Sequence, residues 1–502
     1  MASTYDVIIA GAGPIGLFLA CELGMRGTSV LILERDTSPD SPFKSAPLGL
    51  RGLNTISLES LYRRDIMHLV TKSERPKFFT PKAGYTFGGH FAGMLLNAEL
   101  LDMKKHKYRL NGPALCPNGT ILETFEKVLT ERAESLGVKI LRGKGVTALT
   151  QDDNSVTVEA GGETFTGKWL VGCDGGRSTV RKIGGFEFVG TKPECTGYAV
   201  LGDLENRGSL KLGFNPSQGG MSIIGHAGNL FLLDFDGGAY DRMKEITPEH
   251  INTVIARVTG TEAKITTLKY ASSFTDRSMQ VTQYRRGRVL LAGDAAHIHS
   301  PLGAQGLNLG LGDAMNLGWK LSATVKSGTT DFALVDSYEK ERLPIGAWVL
   351  EWTRAQVSTL RPDLYGKALR KIISDLIQTT DGNNLFMDRV WGLSMRYELG
   401  DEHPLVGSSV PDFELVDGDR LGPRLKSGKG LLLDFGADER LEGLVGKYAG
   451  EVDYLSTSAK EQLGLSAMLV RPDGVVAWAA EGNTDVDAAK AAFERWFGKG
   501  AE

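Results

Sequence analysis

Three acidic residues, Glu34, Asp174 and Asp294, each stand at the end of a predicted strand, and Asp174 and Asp294 lead into glycine-rich turns. Asp294 follows the apolar run 288–292 and precedes a loop rich in glycine and proline, after which helical apolar spacing begins at Leu307. The first N–H groups of a helix lack partners and carry partial positive charge, so this turn favours a polar, anionic ligand.

The N-terminal turn carries the most specific motif. A short buried strand at 5–10 leads into Gly11, Gly13 and Gly16 in G-x-G-x-x-G spacing, then a helix, then a second strand that ends at Glu34. These glycines permit a tight turn, close approach of a pyrophosphate and helix–strand packing, and the acid can bind ribose hydroxyls. The order predicts a dinucleotide site. Glu34 disfavours NADP there and leaves FAD and NAD open.

The remaining turn, residues 169–182, repeats the strand–acid–glycine–helix order around Asp174. Its cations Arg177, Arg181 and Lys182 could lie near cofactor phosphates. Alone, this stretch would be read as a glycine turn with a capped helix. Only one G-x-G-x-x-G fingerprint occurs in the chain, so a second dedicated Rossmann domain is not expected.

Composition excludes several classes of protein. The 502 residues carry a formal net charge of −4 and 24% charged residues, without a basic stripe, so nucleic acid is not an expected partner. No apolar run reaches the roughly 18–20 residues of a membrane span, and no signal peptide is visible. The cysteines lack motif spacing, which favours free thiols in the cytoplasm. His297 and His299 have no further ligands in sequence, and no metal is expected.

Between residues 196 and 285 the pattern changes to alternating apolar runs, which predict an antiparallel sheet. Inserted between two parts of a nucleotide-binding domain, such a sheet would cover the cofactor and form a substrate cavity. The predicted class is α/β. The segment 88–94 could line a pocket or form an ordinary hairpin.

Taken together, these motifs resemble the single-component (class A) FAD-dependent aromatic hydroxylases. The similarity rests on Gly11–Gly16 with Glu34, on 172–175 and on 293–308, and extends to 338–344 and 469–478. Within the class, the chain is most similar to the polyketide and phenol hydroxylase branch that includes rifampicin monooxygenases.

The resemblance implies a Rossmann-like FAD-binding domain at 1–180 and 286–395, with an inserted antiparallel-sheet substrate domain at 181–285. It also implies a thioredoxin-like domain at 401–502, with a packing or dimer-contact role because no cysteine follows Cys195. The expected FAD-binding residues are Gly11, Gly13, Pro14, Gly16, Glu34, Arg35, Lys44, Arg51, Val146, Asp174, Asp294, Pro301, Gly303, Gly306, Leu307 and Asn308. Candidate substrate residues are His90, Phe91, Tyr198, His226 and Pro301.

The implied activity is hydroxylation of an electron-rich aromatic ring, phenolic or polycyclic and polyketide-like, through a flavin C4a-hydroperoxide formed from O₂. NADPH or NADH would reduce the bound FAD transiently, in a monomer or homodimer. No general base is assigned. Baeyer–Villiger or ring-opening oxygenation remains an alternative. A flavin-binding protein without oxygenase activity is a second one.

Three positions depart from the family pattern. Gly303-Ala304 replaces a glycine pair, Glu123 follows 120–122 where relatives often carry Gln before a helix, and either Lys44 or Arg51 could supply the cation that faces the flavin. These changes bear on the resting position and movement of the flavin.

Overall fold

We describe the protein from a computed structural model, which describes residues 4–71, 84–225 and 228–499. The strands in these residues are β1 (Thr4–Ala10), β2 (Val30–Leu33), β3 (Leu50–Leu53), β4 (Phe87–Phe91), β5 (Met94–Asn97), β6 (Asn118–Ile121), β7 (Lys139–Leu141), β8 (Val146–Gln151), β9 (Val156–Ala160), β10 (Glu163–Gly172), β11 (Phe188–Thr191), β12 (Thr196–Glu205), β13 (Gly213–Pro216), β14 (Gly220–Ile224), β15 (Asn229–Asp234), β16 (Lys264–Thr275), β17 (Ser278–Val281), β18 (Arg285–Arg286), β19 (Val289–Leu291), β20 (His297–Ile298), β21 (Gly430–Asp434), β22 (Val452–Ser456), β23 (Leu465–Val470) and β24 (Val476–Glu481).

The α-helices in the same ranges are α1 (Pro14–Gly24), α2 (Thr55–Arg63), α3 (Met67–Val70), α4 (Leu122–Ser135), α5 (Thr179–Ile183), α6 (Pro248–Thr259), α7 (Gln305–Ser327), α8 (Ala333–Ser358), α9 (Leu364–Ile377), α10 (Thr380–Trp391), α11 (Leu421–Arg424), α12 (Glu439–Gly446) and α13 (Val486–Phe497). Among the helices of the described ranges, none combines the length and apolar character required to cross a bilayer.

The first sheet positions the three glycine-rich turns side by side. Its strand order is β18-β19-β10-β1-β2-β7, and β19, β10, β1, β2 and β7 run parallel. Continuous apolar runs form these strands because both faces are covered, and α1 packs against α7 beside them. Ala10 lies opposite Gly172, and Gly172 opposite Leu291, so the three turns leave the sheet at one edge.

The second large sheet, in the order β13-β14-β15-β12-β16, is antiparallel as predicted. Its outer face is covered by α6, through a core that includes Val200, Leu230 and Ile255. Its inner face contributes Met221 and Leu233 to an apolar cluster shared with the hairpin β4–β5 and the helices α8 to α10.

The C-terminal sheet has the order β22-β21-β23-β24, with β21 and β22 parallel and the other pairs antiparallel, a thioredoxin-like arrangement closed by α13. A buried ion network joins this sheet to α7 and α8. Arg471 donates to both carboxylate oxygens of Glu341 at 2.9 and 2.8 Å, and the Lys320 ammonium lies 2.9 Å from the same carboxylate.

A second buried contact joins the C-terminal part to the first domain. The Arg64 guanidinium binds the Glu22 carboxylate at 2.7 and 2.9 Å. It also donates to the backbone carbonyls of Leu425 and Pro472 at 2.9 and 2.8 Å. Each of these charges is therefore compensated inside the protein.

Candidate active site

The three turns meet around one cavity of about 470 Å³, which we call the cofactor cavity. Twelve of the sixteen predicted FAD-binding residues line it: Gly11, Gly13, Pro14, Glu34, Arg35, Lys44, Arg51, Val146, Asp174, Asp294, Gly306 and Leu307. They come from positions up to almost 300 residues apart in sequence, yet the register of β1, β10 and β19 brings them together.

The glycines of the first turn have separate tasks. A Cβ on Gly11, whose φ is +105°, would lie 2.5 Å from the carbonyl oxygen of Cys173. One on Gly16 would lie 2.1 Å from the carbonyl oxygen of Gly11. A Cβ on Gly13 would meet no atom within 4 Å. Gly11 and Gly16 therefore permit close packing, whereas Gly13 leaves open space at the start of α1, where a phosphate group fits.

Glu34 is held at the end of β2 by two backbone N–H groups. Its Oε2 accepts from Ala12 at 2.7 Å and its Oε1 accepts from Asp36 at 2.8 Å. Each carboxylate oxygen can accept more than one hydrogen bond, so this oriented group still has capacity for ribose hydroxyls.

Asp174 has one oxygen engaged and one free. Its Oδ2 accepts the N–H groups of Thr179 and Val180 at 2.7 and 3.1 Å, which caps α5. Its Oδ1 is buried and has no hydrogen-bond partner among the described residues. A buried acceptor without a donor costs stability, and a ligand hydroxyl in the cavity would satisfy it. The residues present therefore fit a bound dinucleotide.

Asp294 projects toward the cavity from the short helical turn at 293–295. The surrounding protein raises the pKa of its carboxyl group, and the nearby Asp313 carboxylate adds to that effect, although His297 opposes it.

Asp313, which the sequence did not single out, supports this turn from inside. Its Oδ2 accepts from the Gly293 N–H at 3.0 Å and lies 2.7 Å from Nε2 of His297. Its Oδ1 accepts from Nε of Arg342 at 2.8 Å. Burial alone would raise the pKa of Asp313, but His297 and Arg342 together hold it below its usual range. His297 therefore supports the loop from inside.

Both candidate cations reach the cavity. The Lys44 ammonium pairs with the Glu126 carboxylate at 2.7 Å. The Arg51 guanidinium donates to the carbonyls of Leu48 and Leu50 at 2.8 and 2.9 Å, and burial lowers its pKa. Arg142, missed in the sequence, also lines the cavity. It follows β7, which pairs in parallel with β2, so its position at a carboxyl end was the available signal.

Four predicted cofactor residues do not line the cavity. Gly16 lies beneath it, and Pro301 is exposed on its loop. Gly303 packs closely against Gln356 instead, because a Cβ at Gly303 would lie 2.9 Å from Nε2 of that residue. Asn308 joins α7 to β3 instead, because its amide donates to Gly52 O at 3.0 Å and accepts from the Asn54 N–H at 2.9 Å.

The antiparallel sheet β13-β14-β15-β12-β16 separates two of the candidate substrate residues, Tyr198 and Phe91. Tyr198 lies on the outer face beneath α6, where its hydroxyl is 2.9 Å from Nε2 of His250. It therefore cannot line a pocket on the inner face, which corrects the sequence prediction. Phe91 is on the inner side, with ring centroids 4.7 Å from Trp352 and 4.9 Å from Phe386.

His90 neighbours this cluster, with its ring 4.2 Å from that of Phe214. Burial lowers the pKa of His90 to about 4. The segment 88–94 belongs to the hairpin β4–β5. His226 lies outside the described residues.

Comparison with known proteins identifies the class. The FAD binding domain model matches residues 4–353, and the model of the C-terminal domain of aromatic-ring hydroxylases matches 403–500. The chain therefore belongs to the class A FAD-dependent aromatic-ring hydroxylases. Within that class it is an FAD-dependent monooxygenase of the polyketide-hydroxylase branch, which confirms the resemblance seen in the sequence.

Individual relatives match over nearly the full length. The chain is 46% identical to a monooxygenase of Claviceps purpurea, covering 98% of this chain and 97% of the relative. The solved structure of OxyS anhydrotetracycline hydroxylase from Streptomyces rimosus superposes with a TM-score of 0.85, at 35% identity and covering 99% of this chain and 100% of that one. The Diels-Alderase PyrE3 of pyrroindomycin biosynthesis superposes with a TM-score of 0.80, at 31% identity and with the same coverage.

Proposed function

We propose that this monooxygenase uses NADPH or NADH and O₂ to hydroxylate a phenolic or polycyclic, polyketide-like aromatic ring. The observation that carries the proposal is the convergence of three turns on one cavity that fits a dinucleotide. Bound FAD, once reduced, supplies activation of O₂ and transfer of one oxygen atom to the ring. The protein supplies placement, exclusion of water and local charge.

On the nucleotide side of the cofactor cavity, carboxylates are placed for the hydroxyl groups of the ligand and backbone N–H groups for its phosphates. Glu34 and the free Oδ1 of Asp174 accept hydrogen bonds from hydroxyl groups. The open backbone at Gly13 admits the pyrophosphate, which the partial positive charge at the start of α1 stabilises. We propose that Asp294 accepts a further hydroxyl group near the middle of the cavity.

At the far end, the start of α7 provides a second set of donors. No side chain caps this helix, and Gly306 and Leu307 from its first turn line the cavity. These N–H groups are positioned to stabilise negative charge on the ring system of the cofactor. Arg51 lies on the same cavity with its guanidinium already fixed by two carbonyls.

The substrate belongs on the inner face of the large sheet. That face contributes the buried side chains of Met221 and Leu233 to an apolar cluster, which Leu302 from the loop before α7 joins. An aromatic ring that binds against this cluster would be shielded from water at the reacting atoms. Nδ1 of His90 accepts the Gly93 N–H at 3.2 Å, so the neutral ring carries its proton on Nε2 as a donor for a phenolic oxygen.

The test begins with the absorption spectrum of the purified protein and continues with NADPH and NADH oxidation in the presence of simple phenols and tetracycline-type polyketides. We expect a yellow protein whose NAD(P)H consumption increases with an aromatic ligand, and ¹⁸O₂ should label the product. A colourless protein that does not bind added FAD would contradict the proposal. Product structure separates ring hydroxylation from Baeyer–Villiger or ring-opening insertion, which adds oxygen between ring atoms.

A second candidate is a flavoprotein that shapes a substrate without oxygenating it. It is favoured by the similarity to a Diels-Alderase over 99% of this chain. A second observation in its favour is the departure from the family's glycine pair, where Ala304 stands in the loop before α7. This candidate predicts a yellow protein that consumes no NAD(P)H with any aromatic compound, but converts a polyene substrate to a cyclised isomer of unchanged mass.

A further inference from the structure

A groove of about 540 Å³ adjoins the cofactor cavity, and we call it the cationic groove. Arg177, from the turn after Asp174, lines both spaces. The groove residues used below are Phe43, Arg177, Arg242, Lys244, Lys269 and Tyr270. The carboxylates that suit the FAD, Glu34, Asp174 and Asp294, line the cofactor cavity and not this groove.

The charges in this groove are unbalanced. Four cations line it, against the single carboxylate of Glu245. Lys269 pairs with Asp203 at 2.6 Å outside the groove lining. For the other three cations, the described residues offer no carboxylate within ion-pair distance.

Arg242 and Arg177 also act on each other. Arg242 donates to the carbonyl of Ser273 at 2.8 Å. Burial lowers the pKa of its guanidinium, and the charge of Arg177 lowers it further. Two like charges that face each other without an anion are unfavourable, and a bound anion between them would remove that cost.

An aromatic surface lies beside the cations. Tyr270 is 45% exposed, and its ring centroid is 6.4 Å from that of Phe43, with the rings edge to face. A flat heterocyclic base can stack on an exposed ring of this kind. The combination of an aromatic surface with several unpaired cations fits a base that carries more than one phosphate group.

We propose that the cationic groove binds the adenosine end of the reductant, and that Arg242 and Lys244 select NADPH over NADH by contacting its 2′-phosphate. The inference rests on the proposed function, since it concerns the donor of electrons to the same FAD. It also explains how one chain separates two adenine nucleotides. Glu34 disfavours a 2′-phosphate in the cofactor cavity, whereas the groove offers cations for one.

The test uses the FAD-loaded protein with Arg242→Gln and Lys244→Gln, singly and together. Lys264→Gln is the matched control, because Lys264 is an exposed cation at the start of β16, a strand whose later residues line the groove, and Lys264 itself lies outside the groove. We expect KM for NADPH to rise about tenfold or more in the double variant, and KM for NADH to change by less than about twofold, because only NADPH carries the 2′-phosphate. The control should behave as the wild type.

Binding of 2′,5′-ADP, measured by calorimetry, provides a readout that does not depend on turnover. The wild type should bind it more tightly than 5′-AMP, and the double variant should lose that difference. Equal KM values for NADPH and NADH in the wild type, or an unchanged preference in the double variant, would overturn the inference and leave the proposed function standing. If neither nucleotide is oxidised while 2′,5′-ADP still binds at Arg242 and Lys244, the proposed function fails and the groove assignment survives.

Discussion

Replacing Asp313 with Asn is expected to destabilise the protein strongly, because Asp313 neutralises Arg342 inside the core. Arg342 and Asp313 are 1% and 0% exposed, and Asp313 also accepts from Gly293 and lies against His297. An Asn side chain keeps the shape but leaves the guanidinium without a counter-charge. Loss of one partner of a buried pair costs about 3–5 kcal/mol, a large share of the roughly 5–15 kcal/mol that holds a typical protein folded.

The assay is urea unfolding followed by tryptophan fluorescence, with the flavin content of the purified protein as a second readout. Because Asp313 holds Gly293, we expect Asp313→Asn to retain less FAD as well. Asp336→Asn is the matched control. Asp336 also binds an arginine, Arg285, at 3.0 Å, but the pair is partly exposed, so its loss should cost at most about 1 kcal/mol. If the two variants lost similar amounts of stability, the argument from buried charge would be refuted.

Four further outcomes follow from the same geometry. Asp294→Ala should weaken FAD binding in a titration while circular dichroism stays that of the wild type, since the side chain faces the cavity; unfolding in excess FAD would show a structural role instead. Gly13→Ala should likewise fold normally and bind FAD more weakly, because the added Cβ meets only open space, and normal FAD affinity would contradict the assigned phosphate position. Ala304→Gly should stabilise the protein in urea unfolding by up to about 1 kcal/mol, since Ala304 has a φ of +54° that alanine disfavours; a clear loss of stability would contradict this reading. Finally, burial raises the pKa of Glu341 but Arg471 and Lys320 bring it to about 2, below its usual 4.5. Its contribution is therefore complete above about pH 4.5 and is lost as the pH falls toward about 2, so the melting temperature should drop in that range, and Glu341→Gln should be less stable at neutral pH with a smaller acid dependence.

The sequence was informative where function depends on local order. Strand, glycines, helix and acid occur together at Gly11–Glu34, and the parallel register of β1 and β10 then brings Asp174 beside them.

Other features depend on contacts that no local pattern contains. Asp313 and Arg342 lie on different helices, so their pairing could not be read from spacing. The placement of Tyr198 was wrong because alternation in a strand separates two faces without showing which one turns inward. The amphipathic stretch 54–69 could be taken for one helix, but it forms two, α2 and α3, with Asp65 in a left-handed conformation between them at φ +57°.

The buried charges that join the C-terminal sheet to the rest of the chain limit its modularity. Arg471 completes the charge balance of Glu341 on α8, and Arg64 reaches across to the carbonyls of Leu425 and Pro472. A chimaera that exchanged this domain alone would strand ionised groups in the interior of the flavin-binding part. Any exchange between relatives would have to transfer the partner residues on α7 and α8 together with the domain, so the thioredoxin-like portion is an integral part of one folding unit.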